Sequence, residues 1–127
     1  MNWDDLRREI KGALILPGEE AFRSSARVYN SSINVTPAAI LVPNDTKDIS
    51  SAVKFAASRN LKITVKCGGH SSYGICLRSG ALLISMQNLR KVTLDASGEF
   101  VIAEGGALVR DLDSATAVIG KAVPAGD

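Results

Sequence analysis

The chain has 127 residues, 46% hydrophobic and 22% charged, which is one domain's worth of sequence with enough apolar mass for a single core. Fifteen basic and 13 acidic residues leave a net charge of +2, too balanced to argue for a nucleic-acid or anionic-membrane partner, and no Lys/Arg cluster stands out. No apolar run approaches the length needed to cross a bilayer.

Residues 2–12 read as a short helix. Asn2 can cap it, Asp4 and Asp5 suit its positive end, Trp3, Leu6 and Ile10 share a face, and Gly12 stops it. Residues 19–29 carry a weaker helical signal that ends in the polar run 30-NSSIN-34. From Pro37 the pattern sharpens. The apolar run 38-AAILV-42 reads as a buried strand closed by Pro43. Asn44, Asp45 and Thr46 then offer caps to a helix whose Ile49, Ala52, Val53, Ala56 and Ala57 recur at helical spacing, with Asn60 as terminator. An alternating strand, 61-LKITVK-66, follows, so 38–66 is expected to form a βαβ unit.

Three further strands are expected in 81-ALLISM-86, 91-KVTLDA-96 and 100-FVIAEG-105, with a turn at Ser97-Gly98. Leu108, Leu112, Ala115 and Ile119 mark a last helix that Gly120 ends. The expected fold class is α+β, with a helical or irregular segment over 1–36 ahead of a domain over 37–127.

Cys67 and Cys76 are the only cysteines and His70 the only histidine, which is one ligand short of a closed zinc site; no metal and two unpaired thiols are expected. The opening MNWDDLRREI lacks the basic start and apolar run of a secretory leader, yet Asn30, Asn34 and Asn44 all begin N-glycosylation patterns. The compartment therefore stays open: cytoplasmic as written, secreted if a leader is missing.

The candidate chemistry lies in 66-KCGGHSSYG-74, just past the second strand of the βαβ unit. Glycines at 68 and 69 allow a bulky ligand to approach the backbone, and successive N–H groups in such a turn form a concave nest for an anion such as a pyrophosphate. Ser71 and Ser72 add hydroxyls, Lys66 adds a nearby charge, and His70 holds a nucleophilic nitrogen beside the ligand. The spacing is neither that of a P-loop nor of the dinucleotide motif. A Cys67–His70 catalytic pair and a plain glycine turn with a surface histidine are the other readings of these residues.

The ordered set 65-VKCGGHSSYG-74, 81-ALLISMQNLRKVTLD-95, 103-AEGGALVRDL-112 and 123-VPAG-126, with 29-YN-30, Pro37, Ile40 and Pro43 upstream, resembles the N-terminal part of a flavoprotein oxidase. It is similar to the berberine-bridge-enzyme-like branch of the vanillyl-alcohol-oxidase and p-cresol-methylhydroxylase superfamily. The resemblance implies FAD as cofactor, with Lys66, Cys67, Gly68, Gly69, His70, Ser71, Ser72 and Gly74 around its pyrophosphate. It also implies a covalent bond from His70 to the 8α-methyl carbon of the flavin, and a later loop at Pro124 and Gly126 near the flavin ring. Lys66 and Cys67 depart from the arginine and the glycine or serine common in that family. The second tethering cysteine, the substrate domain and the catalytic base of such oxidases lie beyond the position matched by Asp127. The resemblance thus implies the FAD-binding portion of a longer oxidoreductase acting on a small molecule such as a sugar, alcohol or amine. A non-catalytic remnant and a non-covalent flavin module are the alternatives.

Overall fold

A computed structural model describes residues 1–126. Two layers of helix and loop cover a four-stranded sheet, and a β-hairpin with its own helix stands beside it. In chain order the elements are α1 (Asp4–Glu9), β1 (Ala13–Ile15), α2 (Glu20–Ala26), β2 (Ala39–Val42), α3 (Thr46–Ser58) and β3 (Ile63–Lys66). They are followed by β4 (Leu82–Ser85), β5 (Val92–Leu94), β6 (Val101–Ala103) and α4 (Val109–Ala117). The fold is α+β.

The sheet runs in the order β1-β2-β4-β3, with β2, β4 and β3 parallel and β1 antiparallel on the edge. Every residue of β2 and of β4 is buried, because both strands are covered on both faces. Their side chains alternate between two cores. Leu41, Leu82 and Ile84 meet Leu6, Ala52 and Phe55 of the helices on one face. Ile40, Val42 and Leu83 meet Ile15, Leu77 and the segment after α2 on the other.

The βαβ unit forms with one difference. β2 and β3 are parallel and joined by α3, but β4 lies between them and pairs with both. The stretch over 1–36, expected to be helical or irregular, contains the strand β1. Its Leu14 lies opposite Leu41, so it extends the main sheet. Three residues are too few to give a readable period, which is why only the pairing reveals it.

Asp48 ties this edge to the helix layer. It is 1% exposed, and its carboxylate accepts the N–H groups of Lys11 (2.8 Å), Gly12 (2.9 Å) and Asn44 (2.8 Å). Burial alone would raise its pKa, but those three donors hold it below the ordinary carboxylate value. Of the three expected caps of α3, Asp45 is the one used, accepting from the N–H groups of Lys47 and Asp48. Asn60 ends that helix with φ of 52°, a left-handed conformation that asparagine tolerates. Trp3 of the segment before α1 stacks on Phe55 of α3, and Arg59 lies 3.9 Å above the same ring.

Candidate functional site

The carboxyl ends of parallel strands are where open sheets of this kind place their ligands. The glycine loop leaves β3 at that end. A cavity of about 680 Å³ opens there, walled on one side by Val65, Cys67, Gly68, Gly69, His70 and Ser71, and on the other by the start of α4. The far wall is Ala107, Leu108, Val109 and Arg110, with Ile75 and Cys76 completing the rim. Its size is that of a small-molecule or cofactor site, and its lining is mainly apolar with a few converging polar groups.

The loop is held from behind by residues 27–30. Lys66 Nζ donates to the Arg27 carbonyl at 3.0 Å, the Tyr29 N–H donates to the Gly69 carbonyl at 2.9 Å, and Asn30 Nδ2 donates to the Ser72 carbonyl at 2.9 Å. Gly69 has φ of 74°, so it is the point at which the chain turns back, and an added Cβ would sit 3.4 Å from the Arg27 carbonyl. Gly68 differs. A Cβ there would meet only Cδ2 of His70 and Cδ2 of Leu108, both at 3.5 Å, so the missing side chain leaves a gap between the two walls. The opposite wall is fixed by Arg90, which donates through Nε (2.9 Å) and Nη2 (2.6 Å) to the two oxygens of Asp111. Asp111 also accepts the Leu108 N–H at 2.8 Å, capping α4, and the Arg90 guanidinium beside it holds its carboxyl down at about 2.

The expected site residues divide sharply. Cys67, Gly68, Gly69, His70 and Ser71 line the cavity. Lys66 does not: it is 7% exposed, and its ammonium ends on the Arg27 carbonyl. Burial lowers its pKa, against the opposing pull of Cys76 and Cys67. Strand alternation explains the placement, since Val65 and Cys67 face the cavity and Lys66, between them, must face away. Ser72 offers its carbonyl to Asn30 and is outside the lining. Gly74 has a conformational role, with φ of 65° and its Cβ position blocked by Ile33. Pro124 and Gly126 are exposed and do not line the cavity. The missed cavity residues are Val65 on the first wall, Ile75 and Cys76 on the rim, and all of the second wall, above all Arg110, a cation at the start of a helix. The sequence did carry a signal for it: a helix expected from Leu108 has its anion-attracting end there.

Residues 37–126 match the family described as the FAD binding domain. The chain belongs to that family. It is 30% identical over 123 residues to the FAD-linked oxidoreductase hasG of Aspergillus fumigatus, covering 96% of this chain and 26% of that protein. It is 25% identical over 117 residues to (R)-6-hydroxynicotine oxidase of Paenarthrobacter nicotinovorans, covering 92% and 26%. Among solved structures, Physcomitrella patens BBE-like 1 superposes with a TM-score of 0.89 at 21% identity, covering 99% of this chain and 28% of that one, a likeness of fold. The chain thus spans about a quarter of the length of these FAD-linked relatives. FAD is the cofactor of the family, and the residues present suit it: a glycine gap at 68, a backbone turn at 69 and a helix start facing them across the cavity.

Among the described residues, no group of three or more His, Cys, Asp or Glu side chains is gathered as for a metal ion, and no helix is long and apolar enough to cross a membrane.

Proposed function

We propose that the cavity between the glycine loop and α4 seats the FAD of a flavin-linked oxidoreductase, and that this chain forms its FAD-binding portion. One observation carries the reading: the sole histidine and the gap at Gly68 face the N-terminal turn of α4 across one cavity. The amides of 67–71 and the first two N–H groups of α4, those of Val109 and Arg110, donate to the diphosphate. Arg110 supplies the positive charge expected earlier of Lys66, and Val65, Leu108 and Ile75 exclude water from the apolar part of the cofactor. His70 is the attachment point of the flavin. The bound FAD supplies the hydride acceptor for a small alcohol, sugar or amine and, reoxidised by oxygen, releases hydrogen peroxide.

The test is the fate of colour on acid precipitation of the chain after incubation with FAD. Yellow that stays in the pellet, and is lost in His70→Ala, supports attachment through His70. Yellow that washes out of the wild type would instead make this a non-covalent flavin module. A wild-type chain that is folded and takes up no flavin under any condition contradicts the assignment.

A further inference from the structure

His70 stands in a loop that gives it almost no lateral support. Gly68 and Gly69 precede it without side chains, and its imidazole is exposed at the cavity rim. One group does meet it. The ring of Tyr29 lies stacked on the imidazole, with centroids 5.5 Å apart and planes inclined by 19°. Tyr29 is 77% exposed, so core packing does not explain its place. Its position is set by its own backbone, whose N–H is bonded to Gly69 immediately before His70. The bonds from Lys66 to Arg27 and from Asn30 to Ser72 fix the segment on either side. His70 therefore separates two hollows, the cavity facing α4 on one side and a second one with Tyr29 and Arg27 on the other.

We propose that Tyr29 is a positioning residue for flavin attachment, a rigid backstop that holds the His70 imidazole toward the cavity. The inference rests on the flavin assignment given above. In the attachment step a bond forms between an imidazole nitrogen and the 8α-carbon of the flavin. One methyl C–H and the imidazole N–H are lost as protons, two electrons pass into the isoalloxazine, and dioxygen takes up both protons and both electrons as hydrogen peroxide. Tyr29 touches none of the reacting atoms. It narrows the rotation of the imidazole before they meet, and an aromatic face is what that requires, so phenylalanine should serve as well as tyrosine.

The test uses the full chain and two readouts. Because His70 is the only histidine, its imidazole C–H protons are directly identifiable in the proton NMR spectrum of the flavin-free chain. Tyr29→Leu should move them toward their random-coil positions, and Tyr29→Phe should leave them displaced by the ring current. On incubation with FAD, acid-stable flavin should accumulate at the wild-type rate in Tyr29→Phe. In Tyr29→Leu it should accumulate roughly 2- to 10-fold more slowly, the factor an aromatic pair is worth. Equal rates in wild type and Tyr29→Leu, or imidazole signals indifferent to the substitution, overturn the inference while leaving the flavin assignment standing. Absence of acid-stable flavin from the wild type itself is the separate failure of the covalent assignment, and removes this inference with it.

Discussion

At the scale of single residues, small groups decide whether the two walls of the cavity come together. Gly106 is the clearest case. A Cβ at that position would lie 1.8 Å from the Met86 carbonyl oxygen and 2.7 Å from that of Leu89, backbone atoms that cannot swing aside. Gly106→Ala should therefore cost about 3 kcal/mol or more of unfolding free energy, read from urea denaturation. Asp48 is the polar counterpart. Asparagine offers one acceptor oxygen where three part-buried N–H groups share a buried carboxylate, so Asp48→Asn should destabilise the chain by about 2 kcal/mol in the same measurement. The pH dependence has a definite sign. Asp48, Asp95 and Asp111 all have folded-state pKa values below the ordinary 3.8, with Asp95 and Asp111 at about 2. Ser97 and nearby N–H groups lower Asp95, and Arg90 lowers Asp111. The stability these groups confer is complete above about pH 5 and is lost progressively as the pH falls toward 2, so the thermal midpoint should drop across that window.

At the scale of elements, the site depends on how two short segments are pinned. The bidentate Arg90–Asp111 pair links the chain before β5 to the first turn of α4, and that turn forms the second wall. Asp111→Ala removes both the ion pair and the cap on the Leu108 N–H. It should loosen the wall and weaken FAD binding several-fold by fluorescence titration, with little change in the main sheet's circular dichroism. Most of these elements were legible in the sequence, because each carries a local signal: alternation in 61-LKITVK-66, helical spacing after Asp45, Ser97-Gly98 between β5 and β6. What was not legible is pairwise. Nothing local says that β4 inserts between β2 and β3, or that Ala13–Ile15 adds to the edge beside β2. Lys66 shows the same limit at the site. Its charge suggested a phosphate partner, but the pleat aims it at Arg27, and the cation facing the cavity lies 44 positions later at Arg110.

At the scale of the whole molecule, one sheet with a core on each face holds a glycine loop at the ends of its parallel strands. Leu41 is fully buried at the centre of the helix-side core, and Leu41→Ala should cost about 2–5 kcal/mol while leaving the loop sequence untouched. The family was readable because its motif residues occur in order from Tyr29 to Gly126. The geometry was not, since Pro124 and Gly126 carry the motif yet stand apart from the cavity. The most direct test of the account is an amide chemical-shift map of the chain titrated with FAD. The account predicts the largest changes in two blocks, Cys67 to Ser71 and Ala107 to Arg110, with Gly18 to Phe22 unmoved. Saturable changes confined to other surfaces, or none in either block, would contradict it.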